Sequence, residues 1–278
     1  MKMKKVYLLV LMAIPFLFIN CADDKTEPSN GVLTIKMTDA PFPLELVAEA
    51  KITISRIEVR KKDSLSNESP YQILSEVEKQ YDLVKLVNGL TETLVEVDIP
   101  AGSYDLVRLY VKEAVVKLTD GRAFDLKVPS GSQSGIKVFV KPAIEVAGGL
   151  SSDLLLDFNL SKSFVPTGNI NAASGITGFN FKPVIKAVNI STSGTLMGVV
   201  NDTISNPIKG AEISIYAADT LNTSTFTDTL GNYTVLGLLE GAYKVKAEAT
   251  GFITEEAMTE IVKGNNTTLD FSLVPQEQ

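Results

Sequence analysis

The chain has 278 residues, 45% of them hydrophobic, with 26 basic and 33 acidic side chains and a formal charge of −7. That length accommodates two domains of ordinary size, and the acidic balance disfavours nucleic acid as a partner. Histidine is absent and cysteine occurs once, which excludes histidine- or cysteine-rich zinc sites, a Ser-His-Asp triad and an intrachain disulfide. Carboxylate chemistry stays open, no cofactor is expected, and with no tryptophan an aromatic sugar platform would fall to the eight tyrosines.

The N-terminus opens on the basic run MKMKK, followed at residues 6–19 by VYLLVLMAIPFLFI without a charge. This run is short against the roughly 20 residues of a membrane span and fits the apolar core of a signal peptide, residues 1–20. Leu17-Phe18-Ile19-Asn20-Cys21 resembles the lipobox of bacterial lipoproteins, with Asn20 in place of the usual small residue, a variant of Bacteroidetes-type bacteria. The resemblance implies cleavage before Cys21 and lipidation of its thiol, which is more reactive than any neighbouring hydroxyl. Several acyl chains are implied, since one alone anchors only marginally. Residues 21–30 are polar and read as a tether. Asp23, Asp24 and Lys25 resemble the acidic signal that exports such lipoproteins, which implies a lipid-anchored protein of the outer membrane facing the exterior.

From residue 31 to about 190 the hydrophobic pattern has period two, the signature of strands with one buried face. VLTIKMT places Leu33, Ile35 and Met37 together. ITISRIEV places Ile52 and Ile54 on one face and changes phase at Ser55-Arg56, where a bulge is expected. LVEVDIP groups Val95, Val97 and Ile99; YDLVRLYVKEAVVKL groups Val107, Leu109 and Val111, then suggests a turn and a second strand. AFDLKV, GIKVFV, DLLLDFNL and FKPVIKAVNI continue the alternation, and Asp120-Gly121 marks a hairpin turn. Residues 75–86 admit a turn or short helix. Eight to ten strands at this spacing indicate a sandwich or barrel.

Five blocks, GVLTIKMTDAPF, YDLVKLVNG, DIPAGSYDLVRLYV, LKVPSGSQSGIKV and SDLLLDFNLSKSFV, resemble in their order the DUF4382 family, a domain of unknown function common in secreted proteins of Bacteroidetes-type bacteria and archaea. The resemblance implies a compact β domain and no particular activity. Within it, Asp39 suits a strand-ending turn and Gly102 a turn with positive φ. SGSQSG, residues 130–135, reads as a surface loop whose hydroxyls and N–H groups could hold an anion or a sugar. Asp39, Asp125 and Asp157 are candidate calcium ligands if they converge at one end of the sandwich. Asp153 and Asp157 share a strand face but stand more than ~10 Å apart, too far for one acid–base pair. Tyr104, Arg108 and Tyr110 are candidate ligand contacts; Arg108 is either a surface side chain with a packed stem or a charge in a groove.

After the seam STSG, residues 192–275 resemble the carboxypeptidase regulatory-like domain, a transthyretin-type sandwich. The match rests on Gly198-Val199-Val200, Pro207–Ala211 leading into EISIY, TDTLGNYTVLGLLEGAYKVKAEATGF and TTLDFSL. Ile213 and Ile215, Tyr233 and Val235, then Tyr243, Val245 and Ala247 alternate inward, with turns at Gly231-Asn232 and Glu240-Gly241. About seven short strands suit a Greek-key sandwich. The resemblance implies a spacer or interaction module without a peptidase centre. Ser64, Thr203, Thr220 and Thr229 lie in Asp-Ser/Thr-Leu/Ile tripeptides that resemble the O-glycosylation acceptor of Bacteroidetes-type secreted proteins.

The expectation is therefore an all-β protein of two tandem sandwiches, immunoglobulin- or transthyretin-like. It is anchored to the membrane by an N-terminal lipid and has a non-enzymatic binding or structural role toward a glycan or an envelope protein. Rival readings are glycan capture in a polysaccharide-uptake system, a carboxylate-dependent hydrolase, and a scaffold for assembly.

Overall fold

The computed structural model describes residues 30–40, 46–62, 70–128 and 133–276. Cys21, Asp23, Asp24, Lys25 and Ser64, and with them the lipidation, export and first glycosylation readings, lie outside the described residues.

The chain forms two tandem β-sandwich domains. In the first, the strands are β1 (Asn30–Ala40), β2 (Val47–Lys61), β3 (Tyr71–Ser75), β4 (Lys79–Asp82), β5 (Glu92–Pro100) and β6 (Gly102–Leu118). They are followed by β7 (Ala123–Leu126), β8 (Ile136–Val146), β9 (Ser151–Asn159), β10 (Phe164–Gly168), β11 (Ile176–Phe181) and β12 (Ile185–Asn189). A 10-stranded sheet runs β3-β2-β6-β8-β12-β9-β1-β5, with β4 added to β2 and β7 to β6, while β10 and β11 pair as a separate ribbon. The second domain has β13 (Ser193–Asp202), β14 (Glu212–Ala217), β15 (Thr220–Phe226), β16 (Asn232–Leu239), β17 (Gly241–Glu248), β18 (Glu255–Ile261), β19 (Asn266–Thr268) and β20 (Phe271–Leu273). They make two 4-stranded sheets, β16-β13-β19 with β20 on β13, and β15-β14-β17-β18.

The period-two pattern accounts for this architecture. Leu33, Ile35 and Met37 of β1 and Leu154, Leu156 and Phe158 of β9 point into one core with Val107, Leu109 and Val111 of β6. Ile213, Ile215, Tyr233, Val235, Tyr243, Val245 and Ala247 form the separate core of the second domain. The bulge expected at Ser55-Arg56 is present as a register shift between Ile54 and Arg56 against β6. Asp120-Gly121 turns the β6–β7 hairpin, with Gly121 at φ 90°.

Two local expectations change, and one burial is new. The turn inside YDLVRLYVKEAVVKL is absent, because β6 continues through it; Ile54 pairs with Val111 and Thr53 with Glu113, so Lys112 is an extra residue accommodated as a bulge. Residues 75–86 hold the end of β3, all of β4 and a 3-10 turn over Leu83–Lys85. Leu155 is 0% exposed although it faces away from the first core. The second domain covers it, Gly237 of β16 lying against its side chain.

Both domains use one corner device. Tyr104 donates its hydroxyl hydrogen to the Pro100 carbonyl at 2.7 Å, and Tyr243 does the same to Leu239 at 3.0 Å. In each case the tyrosine lies two residues after a glycine with positive φ, Gly102 at 154° and Gly241 at 146°. A side chain there would strain the corner.

Candidate functional site

The sequence candidates for ligand contact separate in the structure. Tyr104 is a core residue, 1% exposed, with its hydroxyl committed to Pro100, which corrects its reading as a ligand contact. Arg108 and Tyr110 do share the outer face of the sheet, but they belong to a closed ionic cluster. Glu58 of β2 is 3% exposed. Its Oε2 accepts from Arg108 Nη1 at 3.1 Å and from the Tyr110 hydroxyl at 3.1 Å, and its Oε1 is 2.5 Å from Arg56 Nη2. The Arg108 guanidinium stacks 3.6 Å from the Tyr71 ring centroid, and Gly135 lies over its stem. A carboxylate this buried requires paired charge around it. The cluster satisfies that need and leaves these side chains committed to one another.

The calcium reading is also corrected. Asp125 sits on β7, outside the main path of the sheet, opposite Val115. Asp39 ends β1, and its Oδ1 accepts from the Leu160 backbone N–H at 3.1 Å, a remote partner rather than the local turn expected. Asp39 and Asp157 line one small hollow, but their strands are parallel with Asp157 opposite Thr38, so successive side chains diverge to opposite faces. Among the described residues no group of three or more His, Cys, Asp or Glu could hold a metal ion.

What the structure does assemble is a groove along the outer face. On β8, Lys137, Phe139 and Lys141 point outward while Val138 and Val140 enter the core. The register carries this face across the sheet: Leu106 of β6 lies opposite Phe139, and Lys186 of β12 opposite Asp157 of β9, while Ala187 meets Val140 on the core side. The second domain then closes one side. A cleft of about 370 Å³ is lined by Lys137, Phe139, Lys141, Asp157 and Lys186 from the first domain and by Asn222, Thr223 and Leu236–Leu239 from the second. On the other flank of Phe139 and Lys141 lies a hollow of about 340 Å³, bordered by Arg60, Lys62, Asp105 and Pro142. Phe139 is 54% exposed at the join, and the Lys141 ammonium sits 5.7 Å from its ring centroid.

The groove is basic within an acidic protein. Arg60 and Asp105 neutralise each other through a two-pronged pair at 2.8 and 2.9 Å. Lys186 reaches across the junction and donates to the Asn222 carbonyl at 2.5 Å. The residue is exposed overall, yet desolvation pushes its pKa below the ordinary lysine value; Asp157 opposes that shift and Lys162 adds to it. The pattern that marks this groove was present in IKVFVK, where a phenylalanine occupies the polar phase of a strand between two lysines. The contribution of the second domain had no counterpart in local sequence.

Asn88, in the left-handed region at φ 58°, bridges the junction. Its Oδ1 accepts from Thr234 N at 2.6 Å, and its Nδ2 donates to the Asn232 carbonyl at 3.3 Å. The side-chain amide thus pairs with β16, the edge of its sheet, much as a neighbouring strand would. Gly89 packs directly against Thr234.

Thr203, Thr220 and Thr229 are exposed. The aspartates before Thr203 and Thr229 have structural work of their own: Asp202 Oδ1 accepts from the N–H groups of Ile204 and Asn206, and Asp228 Oδ1 from those of Leu230 and Asn232. Among the described residues no helix is long and apolar enough to cross a membrane.

The family model described as Domain of unknown function (DUF4382) matches residues 30–183, more than half of the chain. That of the carboxypeptidase regulatory-like domain matches residues 195–274. No curated protein matches the chain. Among solved structures, a candidate carbohydrate binding protein from Bacteroides uniformis ATCC 8492 is similar at 19% identity over 30% of this chain and 41% of its own, with a TM-score of 0.26. The Bacillus anthracis TIE protein is similar at 16% identity over 89% of this chain and 34% of its own, with a TM-score of 0.28. The shaft pilin SpaA from Lactobacillus rhamnosus GG is similar at 10% identity over 90% of this chain and 98% of its own, with a TM-score of 0.28. This chain therefore spans less than half the length of the first two, and at these TM-scores none of the three bears on its function.

Proposed function

Since this chain belongs to the DUF4382 family, we propose that it is a lipid-anchored protein of the cell envelope with a non-enzymatic binding role, and that it binds in the groove shared by its two sandwiches. Residues 31–190 supply the floor and residues 192–275 one wall. The observation that carries this reading is the cleft of about 370 Å³ built from side chains of both domains around an exposed phenylalanine, since ligand sites favour concave surfaces at domain junctions. Cys21 is its anchor point, Asp23, Asp24 and Lys25 direct it to the outer face, and glycan is the favoured ligand class. The exposed threonines 203, 220 and 229 are available for modification.

Two measurements test the reading separately. Labelling of cells with a palmitate analogue should mark the native chain and fail to mark Cys21→Ala; equal labelling would refute the anchor. On a broad glycan array the full chain in detergent should retain at least one ligand. An empty array would refute glycan binding.

A further inference from the structure

The groove joins two hollows at Phe139, and its cations are spaced along it. Lys137 and Lys141 are four residues apart on one face of β8, which separates their Cα atoms by about 14 Å. Lys62 lies beyond Lys141 in the second hollow, and Lys186 borders the first. A lone phosphate or sulfate ion is too small to meet charges so far apart. An extended molecule with repeated negative charges can do so. The surrounding protein is acidic overall, so a basic groove gives a polyanion one favoured landing place.

The backbone argues about the kind of polyanion. β8 lies between β6 and β12 in the sheet order, paired with β6 over Ile136–Phe139 and Ile144–Val146 and with β12 through Val140 opposite Ala187. An acidic peptide meeting Lys137, Phe139 and Lys141 would lie on the outer face of the sheet, away from the edge pairing that is the usual source of affinity for an extended peptide on a sheet. A saccharide needs none. Its ring can lay an apolar C–H face on Phe139 while its acidic groups reach the lysines on either side, each a point charge with three donors, of which Lys186 already commits some to Asn222.

Resting on the binding role proposed above, we infer that the groove takes an acidic oligosaccharide, carboxylated or sulfated, with Phe139 as its platform and Lys62, Lys137, Lys141 and Lys186 as its charge partners. Titration calorimetry on the full chain in detergent tests this, with oligogalacturonate, chondroitin sulfate oligomers, neutral malto-oligosaccharides and poly-glutamate as probes. At least one of the two acidic saccharides binds, and its affinity drops about tenfold when salt rises from low to several-fold physiological levels. Lys137→Ala and Lys141→Ala, both at exposed positions, weaken it about fivefold each, and Phe139→Ala by about fivefold to tenfold. The malto-oligosaccharides do not bind.

Binding of the neutral sugars, unaffected by the lysine variants, would overturn the acidic specificity while leaving the glycan-binding role intact. Poly-glutamate binding as tightly as the saccharides, with the same lysine dependence, would replace the saccharide by an acidic peptide. If no probe binds while the glycan array still shows a ligand, the inference is wrong and the broader role survives. If the array is empty as well, both fail.

Discussion

Replacing Asn88 tests how the second domain is held where it can wall the groove. The side chain contributes a short bond from Thr234 N at 2.6 Å and a longer one to the Asn232 carbonyl at 3.3 Å. A neutral hydrogen bond contributes about 1 kcal/mol net, the longer one less. Asn88→Ala forfeits both and also places a residue with a Cβ but no polar side chain at φ 58°, which costs about 1 kcal/mol more. The expected loss is about 2–3 kcal/mol at the junction. Asn88→Gly removes the amide and relieves the backbone, so it should cost about 1–2 kcal/mol. Asn88→Asp keeps the acceptor for Thr234 but sets a carboxylate oxygen, in place of the amide donor, against the Asn232 carbonyl oxygen, so it should cost about as much as the glycine variant.

The readout is hydrogen exchange at the Thr234 amide, since each 1.4 kcal/mol corresponds to about a tenfold change. Thr234 should exchange about tenfold or more faster in the alanine and glycine variants. The aspartate variant, which keeps this bond, should exchange more slowly there than the alanine variant, with the amides that pair β16 to β13 little changed. Unaltered Thr234 exchange in a folded Asn88→Ala protein would refute this account of the junction, as would an aspartate variant no better than alanine.

Glu58→Gln should destabilise the first domain by about 2–4 kcal/mol in urea unfolding, because it leaves the Arg56 and Arg108 charges without their buried counter-charge; a loss below about 1 kcal/mol would show that the cluster is not held by charge. In the second domain, backbone donation from Asn206, followed by its side chain and Ile204 N, holds the Asp202 carboxyl below the ordinary aspartate value of 3.8 despite some burial. For Asp228 burial acts upward, but donation from Asn232 and Leu230 prevails and the net direction is again downward. A carboxyl with a depressed folded pKa adds stability above its unfolded value and loses it as pH falls through the folded one. The second domain should therefore weaken on acidification below about pH 4, and Asp202→Asn and Asp228→Asn should each flatten that dependence in thermal unfolding followed from about pH 5 to about pH 2.

Much of the fold was legible because a strand with one buried face declares itself every second residue. Leu33, Ile35 and Met37 announce the core side of β1, and the slip at Ser55-Arg56 announces a bulge before any partner strand is known. Lys112 was less transparent, since an inserted residue within a continuous strand and a turn between two strands disturb the alternation in the same way. Tyr104, Arg108 and Tyr110 read locally as three polar aromatic or charged side chains near one another. Their fates were set by non-local partners: the Pro100 carbonyl beyond the corner glycine, and Glu58, fifty positions before Arg108.

By itself, the sequence determined the all-β class, the faces of most strands, the resemblance to two families, and the exclusion of histidine and disulfide chemistry. Alternation and composition are local properties, written in consecutive residues. Tertiary structure alone decided that Leu155 is covered, that Asn88 clasps the edge of β16, that Asp39, Asp125 and Asp157 do not converge, and that Lys137, Phe139, Lys141 and Lys186 border one groove with Asn222. Each of these is a meeting of residues distant in the chain, and their register and spacing arise only when the sheet is paired and the second domain is docked on its outer face.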